Sequence, residues 1–172
     1  MGHMLVGVVI PSESLRGKIA SIEARDAAAH ARIDTLLLRY EQPAEQAWGV
    51  DVAGGYKCDW WQVGGRWEDW GNNVRRHMKH HGLNASKAPM PRSLKRNAVW
   101  AEDLARLGLV SFPLFPVAII TPYGEWAEEP GNWGWGKATK RERRLKIAWL
   151  AQMRKLLRSC ASCLVVGVDC HD

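Results

Sequence analysis

The spacing of apolar residues constrains the fold of this chain more than any other feature. Short β-branched runs at 5–10, 117–121 and 164–168 predict buried strands, and Trp60–Val63 predicts another. Two long stretches, 13–41 and 138–159, carry apolar residues at intervals of three and four, which predicts helices. We therefore expect an α+β fold, with one mostly antiparallel sheet covered by two long helices. A ferredoxin-like arrangement is our specific expectation.

The regions between these elements are also informative. Residues 72–107 are basic and predicted to be mainly helical, with a loop near Pro89 and Pro91. The middle of the 13–41 stretch, at Ala27–Ala29, carries only small side chains. We interpret that stretch as a helix packed on its own sheet; a homodimer seam is the alternative.

Length and composition predict one domain. The chain has 172 residues, of which 47% are hydrophobic and 24% charged, and this excludes a largely disordered polypeptide. We expect a single domain over residues 4–172, because residues 1–3 resemble a cloning remnant ahead of Met4. No export signal is evident, so we expect a cytoplasmic protein in which the four cysteines are thiols.

Charge is distributed unevenly along the chain. The net charge is +6, and residues 137–158 contain nine basic side chains against one acid. A second basic block lies at 51–99. Such blocks suit polyanions or acidic protein faces, although a solvated helix face is the simpler interpretation. The candidate binding residues are Lys137, Lys140, Arg141, Arg144 and Arg158 in the first block, and Arg75, Arg76 and Lys79 in the second.

Tryptophan is abundant, with ten residues against two phenylalanines. We expect Trp61, Trp100 and Trp149 to fill the core. Trp133 and Trp135 lie in a glycine-rich segment, where exposed rings can stack on bases or enter a partner's pocket. Folding back onto their own domain is the alternative for these two residues.

Metal and cofactor sites are not expected. Cys160, Cys163, Cys170 and His171 resemble a zinc ligand set, but a strand between Cys163 and Cys170 would separate them by roughly 20 Å. His77 and His81 are spaced for one helix face, yet basic neighbours favour a titratable, anion-binding surface instead. No cofactor-binding motif is present.

An enzymatic alternative rests on four residues. Asp59, Arg66, Asp169 and His171 combine acid–base groups with a guanidinium that can hold an anion. If they converge in a cleft, the chain is a small hydrolase or nuclease-like enzyme. A structural ion pair between Asp59 and Arg66 is the simpler interpretation.

Three stretches together resemble a pattern in uncharacterised proteins of phages and actinobacteria. They are Asp-Trp-Trp-Gln-Val-Gly-Gly-Arg-Trp at 59–67, Thr-Pro-Tyr-Gly-Glu-Trp at 121–126 with Gly-Trp-Gly at 134–136, and Val-Asp-Cys-His at 168–171. The resemblance implies that these turns converge on one site, with Asp59, Arg66, Trp126 and Asp169 close together. It also implies a phage or mobile-element origin, and no known activity.

Two functions follow from these observations. We favour a non-catalytic binding protein whose basic, tryptophan-rich surface engages nucleic acid or a nucleoprotein or protein partner. If the chain is phage-encoded, it would act in the host cytoplasm as an inhibitor of a host defence complex, in the manner of an anti-CRISPR protein. The enzyme centred on Asp59, Arg66, Asp169 and His171 is the alternative.

Overall fold

The computed structural model describes residues 2–11, 21–41, 57–58, 60–107, 114–130 and 139–171. They form six strands, a short 3-10 helix at Gly65–Trp67, and four α-helices. The strands are β1 (His3–Ile10), β2 (Trp60–Val63), β3 (Ala98–Trp100), β4 (Ala118–Ile120), β5 (Trp126–Glu128) and β6 (Leu164–His171). The helices are α1 (Ile22–Leu37), α2 (Trp70–His80), α3 (Ala101–Arg106) and α4 (Lys140–Ser159).

The fold is α+β, as the apolar spacing predicted, and its sheet is mixed. The strand order is β2-β6-β1-β4-β5, and β3 also pairs with β6. β1 and β4 run parallel, whereas the other pairings between these six strands are antiparallel. The ferredoxin-like arrangement is therefore wrong, since β1 of that fold has no parallel neighbour. The sheet is also covered by more than two long helices, because the shorter helices α2 and α3 pack on it too.

β6 organises the sheet. It pairs with β1 along its whole length, from His3 opposite His171 to Ile10 opposite Leu164. Its other edge is shared between β2 and β3, which pair with residues 168–171 and 164–166. Gly167 lies between them, where its N–H donates to Asn97 O at 2.7 Å and its carbonyl accepts from Gly64 N at 3.1 Å. One strand thus fixes the positions of three others.

The two faces of the sheet pack against different helices. Alternate residues of β1 and β6 point to opposite faces, as strand geometry requires. One face packs against α2, α3 and α4 through side chains such as Leu5, Val9 and Val165. The other face packs against α1 through side chains such as Val8 and Val166. The molecule therefore has three layers, and α1 and α4 lie on opposite sides of the sheet.

Helix boundaries follow local capping chemistry. Ser21 caps α1 by accepting from Ala24 N at 3.1 Å. The predicted start at 13 falls within 12–20, outside the described residues. α4 begins with a reciprocal capping box, in which Thr139 Oγ1 accepts from Glu142 N and Glu142 Oε2 accepts from Thr139 N. No described helix has the length and apolarity that a membrane crossing requires.

The loop predicted near Pro89 and Pro91 is confirmed, but the helical prediction for the rest of 72–107 is wrong between 81 and 100. α2 ends at His80, an irregular stretch follows to Pro91, and β3 adds a three-residue strand before α3. The buried Asp103 carboxylate holds the irregular stretch by accepting from Ser86 N at 3.0 and 3.1 Å.

Candidate nucleic-acid interface and the diglycine turn

The diglycine after β2 forms a tight turn against the end of β6. Gly64 and Gly65 both have positive φ, at 78° and 47°. The next N–H, on Arg66, donates to Asp169 Oδ2 at 2.8 Å. A Cβ added to Gly65 would lie 2.5 Å from Asp169 Cβ, so glycine is required both for conformation and for space. The turn and the carboxylate are therefore one packed unit.

An ion pair between Asp69 and Arg96 lies beside this turn, at the start of α2. Asp69 has the left-handed φ of 68° at the start of the helix, and its N–H donates to Asn97 Oδ1 at 3.0 Å. Its carboxylate accepts from Arg96 Nε at 2.7 Å and from Arg96 Nη2 at 3.0 Å. Hydrogen bonds from Arg96 and then Asn72 lower the pKa of Asp69 to about 2. The pair is not evident in the sequence, because Asp69 and Arg96 differ by 27 in residue number and share no motif.

Aromatic rings lie at the same end of the sheet. Trp60 stacks on His171 with ring centroids 5.1 Å apart, and its side chain is 42% exposed. His3, set aside above as part of a cloning remnant, is the first residue of β1 and lies 3.0 Å from Asp169 Oδ1 through its Nδ1. Asp169 itself is only 2% exposed and serves as an acceptor for the turn.

The predicted convergence of three motifs is correct for two of them. Arg66 and Asp169 are in contact through the Arg66 N–H, and His171 lies two residues along the same strand. Trp126 is different, because it belongs to β5 at the edge of the sheet opposite to β2. Its ring packs on Tyr40, and its Nε1 donates to Glu128. The expectation that Trp126 joins the shared site is therefore wrong. Asp59 lies outside the described residues.

The basic residues of α4 are displayed on its solvent side. Lys140, Arg141, Arg144, Lys155 and Arg158 are exposed, and within the described ranges none of the five forms an ion pair. Glu142, the single acid of the helix, is engaged in the capping box. The α4 side chains buried against the core are Trp149, Leu150, Met153 and Leu157.

The first part of α4 extends past the core. From 140 to 148 no side chain is buried, and Leu145 and Ile147 are 44% and 52% exposed. The apolar spacing of this stretch predicts that Leu145, Trp149, Met153 and Leu156 face the sheet. This is confirmed for Trp149 and Met153 and partly for Leu156, but Leu145 does not face the sheet. Lys146 Nζ forms an ion pair with Glu129 Oε1 at 2.6 Å.

The basic residues of α2 divide into two groups. Arg75 donates to Ala98 O at 2.6 Å, to Lys95 O and to Asn72 Oδ1 at 2.7 Å. Burial lowers the pKa of this half-buried guanidinium. Arg75 therefore stabilises the 95–98 turn, whereas Arg76 and Lys79 are exposed. The His77 and His81 rings lie together, with centroids 4.4 Å apart.

The cysteines lie in two separate places. Cys160 and Cys163 flank the turn between α4 and β6, where burial and the Cys163 neighbour raise the pKa of Cys160 to about 12. Cys170 is buried near Cys58, and their hydrogen bond together with burial raises the pKa of Cys170. All four are thiols and not members of disulfide bonds. In the part of the chain that the structure describes, no three His, Cys, Asp or Glu residues form a metal-binding group.

The tryptophans expected in the core are placed as follows. Trp100 and Trp149 are buried, and Trp61 is half-buried against the α1 face. Trp133, Trp135 and Lys137 lie outside the described residues. Trp70, which the sequence did not single out, is buried and donates through Nε1 to Leu114 O at 3.1 Å.

Comparison of the chain with protein-family models, curated proteins and solved structures found no significant match.

Proposed function

We propose that this protein is a non-catalytic binding protein that engages nucleic acid, free or within a nucleoprotein complex, through the basic side of α4. One observation carries the proposal: Lys140, Arg141, Arg144, Lys155 and Arg158 are exposed on one helix, and none of the five has a carboxylate partner among the described residues. Phosphate groups are the natural counterpart of such an array, because each neutralised phosphate releases condensed counterions.

The cost of building this helix supports the proposal. Lys140 and Arg144, like Arg154 and Arg158, are like charges four residues apart, which destabilise a helix by a few tenths of a kcal/mol per pair. Lys140 and Arg141 also stand in the first turn, where the helix dipole disfavours positive charge. An anionic partner relieves both the repulsion and the unfavourable dipole interaction, so binding offsets this electrostatic destabilisation of the free helix.

Binding is also favoured over the enzymatic alternative by the environment of Asp169. This carboxylate is buried and accepts the Arg66 N–H, so it already serves the turn rather than an open cleft. Arg66 contributes its main chain to that contact. A role as an inhibitor of a host defence complex is a narrower form of the binding proposal, in which α4 contacts the nucleic acid that the complex holds. Co-purification from the native host, with and without nuclease treatment, tests the narrower form.

The main test is charge reversal with a matched control. We expect K140E/R141E/R144E to weaken binding to a fluorescent DNA at least tenfold, because three phosphate contacts are lost. The control R25E/K87E/R92E changes the net charge equally, at exposed residues of α1 and of the 83–92 region. It should bind like the wild type. Equal loss of affinity in both variants would indicate a net-charge effect and contradict an α4 interface.

A further inference from the structure

The residues on the solvent side of α4 differ between the ends of the helix and its centre. With 3.6 residues per turn, the side opposite the four buried residues Trp149, Leu150, Met153 and Leu157 is continuous over five turns. The residues nearest the midline of this side are all exposed, and they are Lys140, Arg141, Arg144, Ala148, Ala151, Lys155, Arg158 and Ser159. The two ends of this face are basic, and its centre carries only the two alanines.

The distance between the basic ends is set by helix geometry. Arg144 and Lys155 border the alanines and are eleven residues apart, so about 16 Å of helix axis separates them at a rise of 1.5 Å per residue. The methyl groups of Ala148 and Ala151 let another surface approach the helix backbone closely. Gln152 and Ile147, both exposed, flank these alanines.

We infer that this face occupies the major groove of B-form double-stranded DNA, with Ala148 and Ala151 toward the base edges and the basic ends at the phosphates of the two strands. This inference rests on the proposed function above. The B-form major groove is about 12 Å wide and admits an α-helix. The helix lies in the groove with its axis oblique to the groove direction, so the roughly 16 Å of axis between Arg144 and Lys155 brings each basic end nearer to one of the two backbones.

Other nucleic acids fit this face less well. Single strands are held by aromatic rings on which bases stack, whereas the α4 tryptophan, Trp149, is buried against the core. The major groove of A-form RNA is too deep and narrow for side chains to read. In B-form DNA the flanking Gln152 amide can pair with adenine, and Ile147 can contact a thymine methyl group. The composition of the face therefore selects duplex DNA.

The test places bulk at the centre of the face without changing its charge. We expect A148L/A151L to bind a 20-base-pair DNA duplex at least tenfold more weakly than the wild type, measured by fluorescence anisotropy. Leucine is a strong helix former and both positions are exposed, so the circular dichroism spectrum and Tm should be preserved. The control A27L/A31L makes the same change at exposed alanines of α1, on the other side of the sheet, and should retain full affinity.

Two further measurements separate the groove model from the broader proposal. K155E/R158E should weaken duplex binding as much as K140E/R144E, since each end of the face meets one strand. The wild type should bind DNA duplex at least tenfold more tightly than an RNA duplex of the same sequence. Unchanged binding by A148L/A151L, or equal affinity for the two duplexes, overturns the groove placement while leaving the charge-dependent function intact. Wild-type protein that binds no nucleic acid overturns both.

Discussion

The main-chain N–H of Arg66 donates to the buried carboxylate of Asp169 at 2.8 Å, across 103 residues of sequence. This contact joins the diglycine turn to the end of β6, and Gly65 makes it possible by leaving no Cβ in the way. It explains why glycine and aspartate occur in two distant motifs without requiring a reaction between them. Because the donor is the main chain of Arg66, the contact places no requirement on the side chain at this position.

The turn predicts a large difference between two glycine substitutions. Gly65→Ala should lower the free energy of unfolding by about 2–4 kcal/mol, because its Cβ would overlap Asp169 at positive φ. Gly82→Ala is the control: Gly82 also has positive φ, but nothing lies within 4 Å of its added Cβ. It should cost about 1 kcal/mol. Equal losses in urea denaturation would mean that the contact with Asp169 does not constrain the turn.

Asp69 predicts how stability depends on pH. Its pKa is lowered to about 2 in the folded state, chiefly by the hydrogen bond from Arg96. A lowered pKa stabilises the fold above the unfolded pKa, near 3.9, and this stabilisation is lost as the pH falls toward 2. We expect Asp69→Asn to reduce the loss of stability between pH 4 and pH 2, measured by urea denaturation. Asparagine tolerates the left-handed φ of this position, so the turn should persist.

The first turn of α4 predicts an opposition between stability and binding. K140E/R141E should raise the free energy of unfolding by about 0.5–1 kcal/mol at low salt, because acids are favoured at a helix N-terminus. For a chain of this size that corresponds to about 2 °C in Tm. The same variant should bind DNA more weakly. The gain in Tm should disappear in 1 M NaCl, and a gain that persists there would exclude an electrostatic origin.

The turn between α4 and β6 predicts slow thiol chemistry. With a pKa near 12, Cys160 is about one ten-thousandth thiolate at pH 8. Alkylation by iodoacetamide should therefore be on the order of a thousandfold slower than that of a free thiol. Mass spectrometry of the wild type and of Cys160→Ser locates the reacting site. Rapid labelling of Cys160 in the folded protein would show that the thiol is less shielded than its surroundings indicate.

The apolar spacing predicted the parts of the fold that depend on local sequence. The strands at 5–10, 60–63 and 164–168 and the helix over 138–159 were predicted with boundaries close to those observed. β3 was missed because three residues are too few to show a period of two. The parallel pairing of β1 with β4 was missed because strand order depends on packing between distant segments.

The candidate interface, like the fold, was predictable from the sequence where it depends on local patterning. Exposure of the basic α4 side chains follows from the position of its apolar stripe, so Lys140, Arg141, Arg144 and Arg158 were identified correctly as surface residues. Arg75 was not distinguishable from Arg76 in the sequence. Only the fold reveals that its guanidinium bonds to the carbonyl groups of Lys95 and Ala98. Trp126 was misplaced because a shared motif composition does not determine the edge of the sheet to which a strand belongs.

The central position of β6 has a consequence for biosynthesis. Residues 164–171 are translated after every other described strand, yet they pair with β1, β2 and β3. Until they leave the ribosome, β1 lacks its longest partner and the two short strands have no described neighbour in the sheet. Nascent chains halted before Leu164 should therefore remain protease-sensitive and dependent on chaperones. Release of the last strand should close the sheet in a single late step, as expected for a topology dominated by long-range pairing.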